Sequence, residues 1–99
     1  MGTIDRIASD RARVQRARER ARLLGEFISR PRTARLMSIS DERLIILLNS
    51  GQIFATKRRG ALFFPKAALV DYAQRMSDVA EREALLKHVH EAEPDFNSM

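Results

Sequence analysis

Residues 34–72 decide the fold, and they read ARLMSISDERLIILLNSGQIFATKRRGALFFPKAALVDY. The pattern predicts a short helix over residues 33–37, a turn, and a second helix over residues 41–49. Ser40 is a favourable N-cap for the second helix, whose two early acidic residues suit the helix dipole. Gly51 follows as a left-handed C-cap. Two short helices joined by a tight turn are therefore expected.

A basic hairpin and a long helix are predicted after this pair. Residues 53–56 and 61–64 have the apolar and β-branched composition of short strands, and residues 57–60 (Lys-Arg-Arg-Gly) would form the turn between them. Pro65 ends the second strand and favours the start of a helix over residues 66–91. The residues expected to form the core beneath the hairpin are Phe54, Phe63, Phe64 and Tyr72.

The first part of the chain predicts one long helix over residues 4–29. This stretch contains no Pro and is rich in Ala, Arg and Glu, and the residue before Pro31 disfavours helical dihedral angles. Its apolar residues recur with a spacing of seven, which is typical of a helix that packs against one partner helix. These residues are Ile7, Val14, Ala21 and Ile28, with Ala17 and Leu24 between them.

The expected fold is mainly α with a small two-stranded β-hairpin, flanked by long N-terminal and C-terminal helices. Ninety-nine residues are enough for one domain with a modest core. Along the chain we expect four segments: a basic helix over 1–30, a compact unit over 31–72, an acidic helical extension over 73–93, and a frayed tail over 94–99.

Charge is distributed unevenly along the chain, whose net charge is +5. The first 35 residues contain ten Arg and four acidic residues, whereas the last 29 contain three basic and seven acidic residues. The basic front predicts an anionic partner, and the acidic end predicts pairing with basic residues of this chain or of a second partner. The absence of Cys and of a long apolar run predicts a cytoplasmic protein without a membrane segment.

Catalytic and metal-binding patterns are not evident. The two His residues, His88 and His90, are two positions apart on a predicted helix and so do not share a face. The four Gly residues form no phosphate-binding loop, and no thiol is present. We therefore expect no enzyme activity, no metal, no cofactor and no small-molecule substrate.

Residues 34–72 resemble the excisionase-type, MerR-like winged helix-turn-helix family over a little more than a third of the chain. The strongest part is S-G-x-I-x-A, a basic wing with Gly, and then F-P-K-x-A-L-x-x-Y. The resemblance implies a DNA-binding accessory or regulatory protein, either a transcriptional regulator or a factor that bends DNA for a recombinase. The matching residues are Ala34, Leu36, Ile39, Ser40, Leu44, Leu47, Leu48, Ser50, Gly51, Ile53, Ala55, Lys57, Gly60, Phe64, Pro65, Lys66, Ala68, Leu69 and Tyr72.

In that family the second helix enters the major groove and the wing grips phosphate, so the resemblance implies double-stranded DNA as the partner. Binding would depend mainly on the phosphate backbone and would weaken steeply with salt. A nucleoid location would follow. The candidate DNA contacts are Ser40 and Arg43 at the groove, Lys57, Arg58 and Arg59 in the wing, and Arg30, Arg32 and Arg35 beside it.

The second helix departs from the family pattern and supports an alternative. Asp41 and Glu42 stand where basic or small polar residues are usual, and Ile45 and Ile46 stand where DNA-reaching residues are usual. An apolar, acidic helix favours a protein-interaction module, such as an antitoxin or an adaptor that forms a homodimer or binds a recombinase or toxin. The candidate interface residues are Ile45, Ile46, Val14, Leu24, Val79 and Leu86.

Overall fold

The computed structural model describes the backbone of residues 2–97 and the side chains of residues 11–97. The chain is mainly helical with a small antiparallel sheet, as the sequence predicts. The elements are α1 (Gly2–Leu24), β1 (Glu26–Ser29), α2 (Arg30–Met37), α3 (Asp41–Asn49), β2 (Thr56–Arg58), β3 (Ala61–Pro65), α4 (Lys66–Gln74), α5 (Val79–Glu91) and β4 (Phe96–Asn97).

The predicted hairpin is present as the antiparallel pair β2 and β3, but the sheet is larger than predicted, with four strands in the order β2-β3-β1-β4. The two additional strands come from segments predicted as the end of the first helix and as a frayed tail. Ile28 pairs with Phe64 across β1 and β3, and both side chains are completely buried. Burial of this pair stabilises β1 more than continuation of the helix would, because an extended α1 would leave Ile28 in water.

The hairpin is displaced along the sequence relative to the prediction. Strand β2 starts at Thr56, and the buried Ile53 lies in the loop before it. The turn consists of Arg59 and Gly60, with φ angles of +53° and +81°. Two consecutive residues with positive φ match the twist of a two-residue hairpin turn, so Lys57 and Arg58 pair within the strand and do not belong to the turn.

The predicted helix over residues 66–91 is broken into α4 and α5, which pack against each other. Asp78 is the N-cap of α5, and its carboxylate accepts a hydrogen bond of 2.9 Å from the N–H of Glu81. This cap competes with helix continuation. The break lets α5 return along α4, which places Leu85 and Val89 in the core.

The two short helices are confirmed. Helix α2 begins three residues earlier than predicted, at Arg30, with Pro31 in its first turn. The Ser40 hydroxyl accepts a hydrogen bond of 3.0 Å from the N–H of Arg43, which confirms the predicted cap of α3. Gly51 has the predicted left-handed conformation, with a φ of +77°.

The core lies between the sheet and helices α2 to α5. Phe64 is completely buried, but Phe54 is 41% exposed, so the predicted core role of Phe54 was wrong. The large, fully buried apolar side chains of the core are Phe64, Ile28, Leu44, Leu47, Leu69 and Val89.

Helix α1 takes little part in this core. It contributes Leu23, whereas residues 13–22 are all exposed. Helix α1 does contact α4, but the predicted seven-residue seam is not the face that packs: Val14 and Leu24 are 48% and 39% exposed, and Ile28 belongs to β1. Ile7 lies outside the described side chains.

We expect Phe64→Ala to lower the free energy of unfolding by about 3–5 kcal/mol, because it removes a fully buried ring and leaves a cavity. Phe54→Ala is the matched control and should cost less than about 1 kcal/mol, since that ring is partly in water. Urea denaturation followed by circular dichroism measures both. Equal losses in the two variants would contradict this description of the core.

Candidate nucleic-acid interface

The register of the sheet brings the basic hairpin and the start of α2 to the same end of the molecule. Ser29, the last residue of β1, pairs with Phe63, which is two residues from the start of β3. The chain therefore leaves β1 roughly 10 Å from the hairpin turn, since three residues separate the level of Phe63 from Gly60 at a rise of about 3.4 Å per residue. Arg30 begins α2 there and is exposed. The N-terminus of a helix carries partial positive charge, which adds to that of the hairpin.

The hairpin itself presents three exposed basic residues, Lys57, Arg58 and Arg59. None of them has a carboxylate within ion-pair distance among the described side chains. Arg59 occupies the turn, and alternation along β2 places Lys57 and Arg58 on opposite faces of the sheet. Their charges are therefore available to an anion that approaches the tip.

Arg58 is held by an aromatic cluster that the sequence did not predict. Its guanidinium lies 4.4 Å from the centre of the Phe96 ring. Phe96 stacks on Phe27 at 4.8 Å and meets Phe63 edge-on at 4.7 Å. The available signal was that Phe96 is the only aromatic residue after Tyr72, in a segment otherwise polar. These contacts orient Arg58 on the outer face of the sheet.

Arg32 is neutralised by the tail and is not a free cation. Its guanidinium lies 3.1 Å from the carboxylate of Asp95, which also accepts a 2.7 Å hydrogen bond from the N–H of Ser29. Partial burial by itself raises the pKa of Asp95, but the hydrogen bonds from Ser29 and Arg32 outweigh it and lower that pKa below its ordinary value. The prediction that Arg32 extends the basic surface is therefore corrected.

The remaining predicted DNA contacts are Ser40, Arg43 and Arg35. None of the side-chain contacts among the described residues links them to the hairpin end of the sheet. The Ser40 hydroxyl is used to cap α3. Arg43 lines a groove between α2, α3, α4 and α5, which it shares with Glu81 and His88. Arg35 is exposed on the last turn of α2. Ser40 and Arg43 thus lie at the N-terminal end of α3, beside the acidic Asp41.

Helix α1 supplies further cations that the site prediction omitted. Arg11, Arg13, Arg16 and Arg18 are exposed and have no ion-pair partner among the described carboxylates. By contrast, Arg20 pairs with Asp71 at 2.6 Å on α4. The Arg-rich composition of residues 1–30 was the signal for this surface. These four arginines form a second basic region on α1.

Lys66 belongs to the motif that resembles the winged family, but the structure buries it. Its side chain is 3% exposed, and its Nζ donates a hydrogen bond to the carbonyl of Ala92 and lies 3.4 Å from a carboxylate oxygen of Glu26. Glu26 in turn pairs with Arg22 at 2.7 Å. Lys66 therefore joins β1, α4 and the end of α5, and it cannot contact DNA.

The predicted protein-interface residues lie on three helices, α1, α3 and α5. Ile46 on α3 and Val79 on α5 are 55% and 53% exposed. Ile45 and Leu86 are both partly buried, and Leu86 also packs against the core. No contact among the described residues joins these side chains and those of Val14 and Leu24 on α1 into one continuous apolar surface.

Within the described part of the chain, no helix combines the length and apolar character that crossing a membrane requires. No cluster of three or more His, Asp or Glu side chains suited to a metal occurs among those residues either. Comparison of the chain with models of known protein families, with curated proteins and with solved structures found no match.

We expect the contribution of Asp95 to stability to disappear in acid. Because its pKa is lowered by folding, the ionised carboxylate stabilises the native state above the unfolded pKa, about 4, and this stabilisation is lost as the pH falls through the folded pKa. Wild type should therefore exceed Asp95→Asn in unfolding free energy by a constant amount from pH 5 to 7, and the difference should shrink below pH 4. Urea denaturation at each pH measures this. A difference that does not depend on pH would refute the ion-pair assignment.

Proposed function

We propose that this protein binds double-stranded DNA as an accessory or regulatory protein, chiefly through phosphate contacts from the β2–β3 hairpin and the start of α2. The observation that carries the proposal is the placement of Lys57, Arg58, Arg59 and Arg30 at one end of the sheet, exposed and without described carboxylate partners. Phosphate is the anion that such an array of cations binds on DNA.

The order of elements also supports this proposal. Helices α2 and α3 are joined by the short turn at residues 38–40, and the basic hairpin follows. This succession is compatible with the winged helix-turn-helix arrangement that residues 34–72 resemble. The hairpin would then act as the wing beside the DNA groove. The resemblance includes the basic hairpin, and the exposure of its cations supports the same proposal.

Sequence-specific reading by α3 has weaker support. Its exposed residues include Asp41 and Glu42, whose charges repel phosphate, and the apolar Ile46. Only Arg43 and Asn49 offer the hydrogen-bonding groups that read base edges. We therefore propose that backbone contacts supply most of the affinity, and that DNA shape and deformability supply any preference for sequence.

The hairpin contribution is tested with the double variant Lys57→Gln/Arg59→Asn, since Asn tolerates the positive φ at position 59. We expect weaker binding to random-sequence duplex DNA and a log–log salt slope that is smaller in magnitude by about 2, roughly one unit for each lost phosphate contact. Fluorescence anisotropy across a salt series measures both quantities.

The matched control is Arg82→Gln/Lys87→Gln, which removes the same charge from α5. It should bind DNA nearly as wild type does, because α5 lies outside the proposed surface. Equal weakening in the two double variants would mean that only net charge matters. Failure of wild type to bind duplex at low salt would overturn the proposed function itself.

Ile46 favours a second candidate function, a protein-interaction module. It is 55% exposed in the middle of α3, next in sequence to the buried Leu47, and such an exposed aliphatic side chain could contribute to an apolar partner surface. The partner would be a second copy of this chain or another protein, such as a toxin or recombinase.

If α3 mediates self-association, Ile46→Glu should convert a dimer to a monomer without changing the free energy of unfolding of the monomer by more than about 0.5 kcal/mol. Phe54→Glu is the matched control, because Phe54 is 41% exposed and is not among the candidate interface residues. Sedimentation velocity measures the change. Identical profiles for wild type and both variants would exclude α3 as a self-association surface.

A further inference from the structure

The outer edge of β1 is covered incompletely by the end of the chain. Strand β4 pairs with only two of the four residues of β1, Glu26 with Asn97 and Phe27 with Phe96. Farther along the edge, the Asp95 N–H donates to the carbonyl of Phe27 at 2.7 Å, and the carboxylate of Asp95 accepts from Ser29. The tail therefore occupies this edge in two ways. Phe96 and Asn97 pair with β1 as a very short strand, and Asp95, the residue before them, contacts the edge beyond that strand.

The fold builds two adjoining subsites for this acid and this ring. The acid subsite consists of the N–H of Ser29, at 2.7 Å, and the guanidinium of Arg32, at 3.1 Å. The aromatic subsite consists of Phe27, Phe63 and Arg58, which contact three sides of the Phe96 ring. All five residues belong to β1, α2, β2 and β3, so the occupant supplies none of the site.

We propose that this edge is a docking site for an extended segment of a partner protein in which an acidic residue directly precedes an aromatic one. The segment adds to β1 as an antiparallel strand, and main-chain hydrogen bonds together with the two subsites fix its register. The chain's own Asp95 and Phe96 occupy the site as a competitor. This inference does not depend on DNA binding.

A peptide fits the site better than a nucleic acid does. A nucleotide could place an anion near Arg32 and a ring near Phe27, but it has no backbone amides in register with the β1 edge. The carbonyl of Phe27 accepts from an amide of the tail, and a nucleotide would leave that hydrogen bond unmade. The ladder contacts therefore select a polypeptide.

The tail is attached closely enough to exclude weak competitors. The carbonyl of Ala92 is held by Lys66, and only two residues separate Ala92 from Asp95. A tether this short gives an effective concentration on the order of millimolar. Weakening the tail should therefore open the site to short peptides.

The test uses the full chain with Asp95→Asn/Phe96→Ala and a labelled, end-blocked peptide with the sequence of residues 92–97. Fluorescence anisotropy should show at least tenfold tighter binding to this variant than to wild type. A peptide with Asn for the acid and Ala for the aromatic residue should not bind. Adding Arg32→Gln to the variant should weaken binding about tenfold, whereas adding the control Arg82→Gln should not.

The proposal is overturned if the peptide binds wild type and variant equally, or binds neither. It is also overturned if a single-stranded oligonucleotide binds the variant and the peptide does not, because the site would then select a nucleic acid. Circular dichroism establishes that the double variant is folded. If it is not, Phe96→Ala alone takes its place, and the same tenfold difference from wild type is required.

Discussion

The pairing of β1 with β3 is the constraint on which the other elements depend. It inserts a four-residue segment from before α2 beside a strand from after α3, and it buries Ile28 against Phe64. That single register ends α1, places the start of α2 at the hairpin end of the sheet, and provides the edge on which β4 lies. Loss of this pairing would separate Arg30 from the hairpin cations and would also remove the edge that holds Asp95 and Phe96.

Lys66 forms a second junction, which connects β1 and α4 to the segment after α5. Its buried ammonium contacts Glu26 of β1 and the carbonyl of Ala92 just after α5. A buried charge is stable only when it is paired and hydrogen-bonded, so burial of Lys66 requires β1, α4 and the end of α5 to be in place together. The position of the tail on the sheet follows from the same junction, because Ala92 fixes where the last segment starts.

Local signals predicted the parts of the fold that depend on local chemistry. The Ser40 cap, the Gly51 C-cap and the mainly helical composition were correct because neighbouring residues determine them. The four-stranded sheet was missed because β1 and β4 form only through pairing with residues distant in sequence, and residues 26–29 have no strong signal of their own. For the candidate site, the sequence placed Lys57, Arg58 and Arg59 on an exposed hairpin, where the structure also has them. The pairing of Arg32 with Asp95 and the stacking of Arg58 on Phe96 could not be predicted, because they depend on the tail, which composition indicated to be frayed.

At Arg59, in the hairpin turn, the backbone conformation favours glycine, whereas the positive charge requires a long side chain. Arg59 has a φ of +53°, a conformation that costs an L-residue with a Cβ about 1–2 kcal/mol relative to glycine. The residue at the most exposed point of the hairpin is thus not the one that would make the turn most stable. Glycine there would relax the backbone and remove the guanidinium together, whereas lysine would keep both the charge and the backbone cost. Substitutions at this single position can therefore separate the rigidity of the turn from its electrostatic potential.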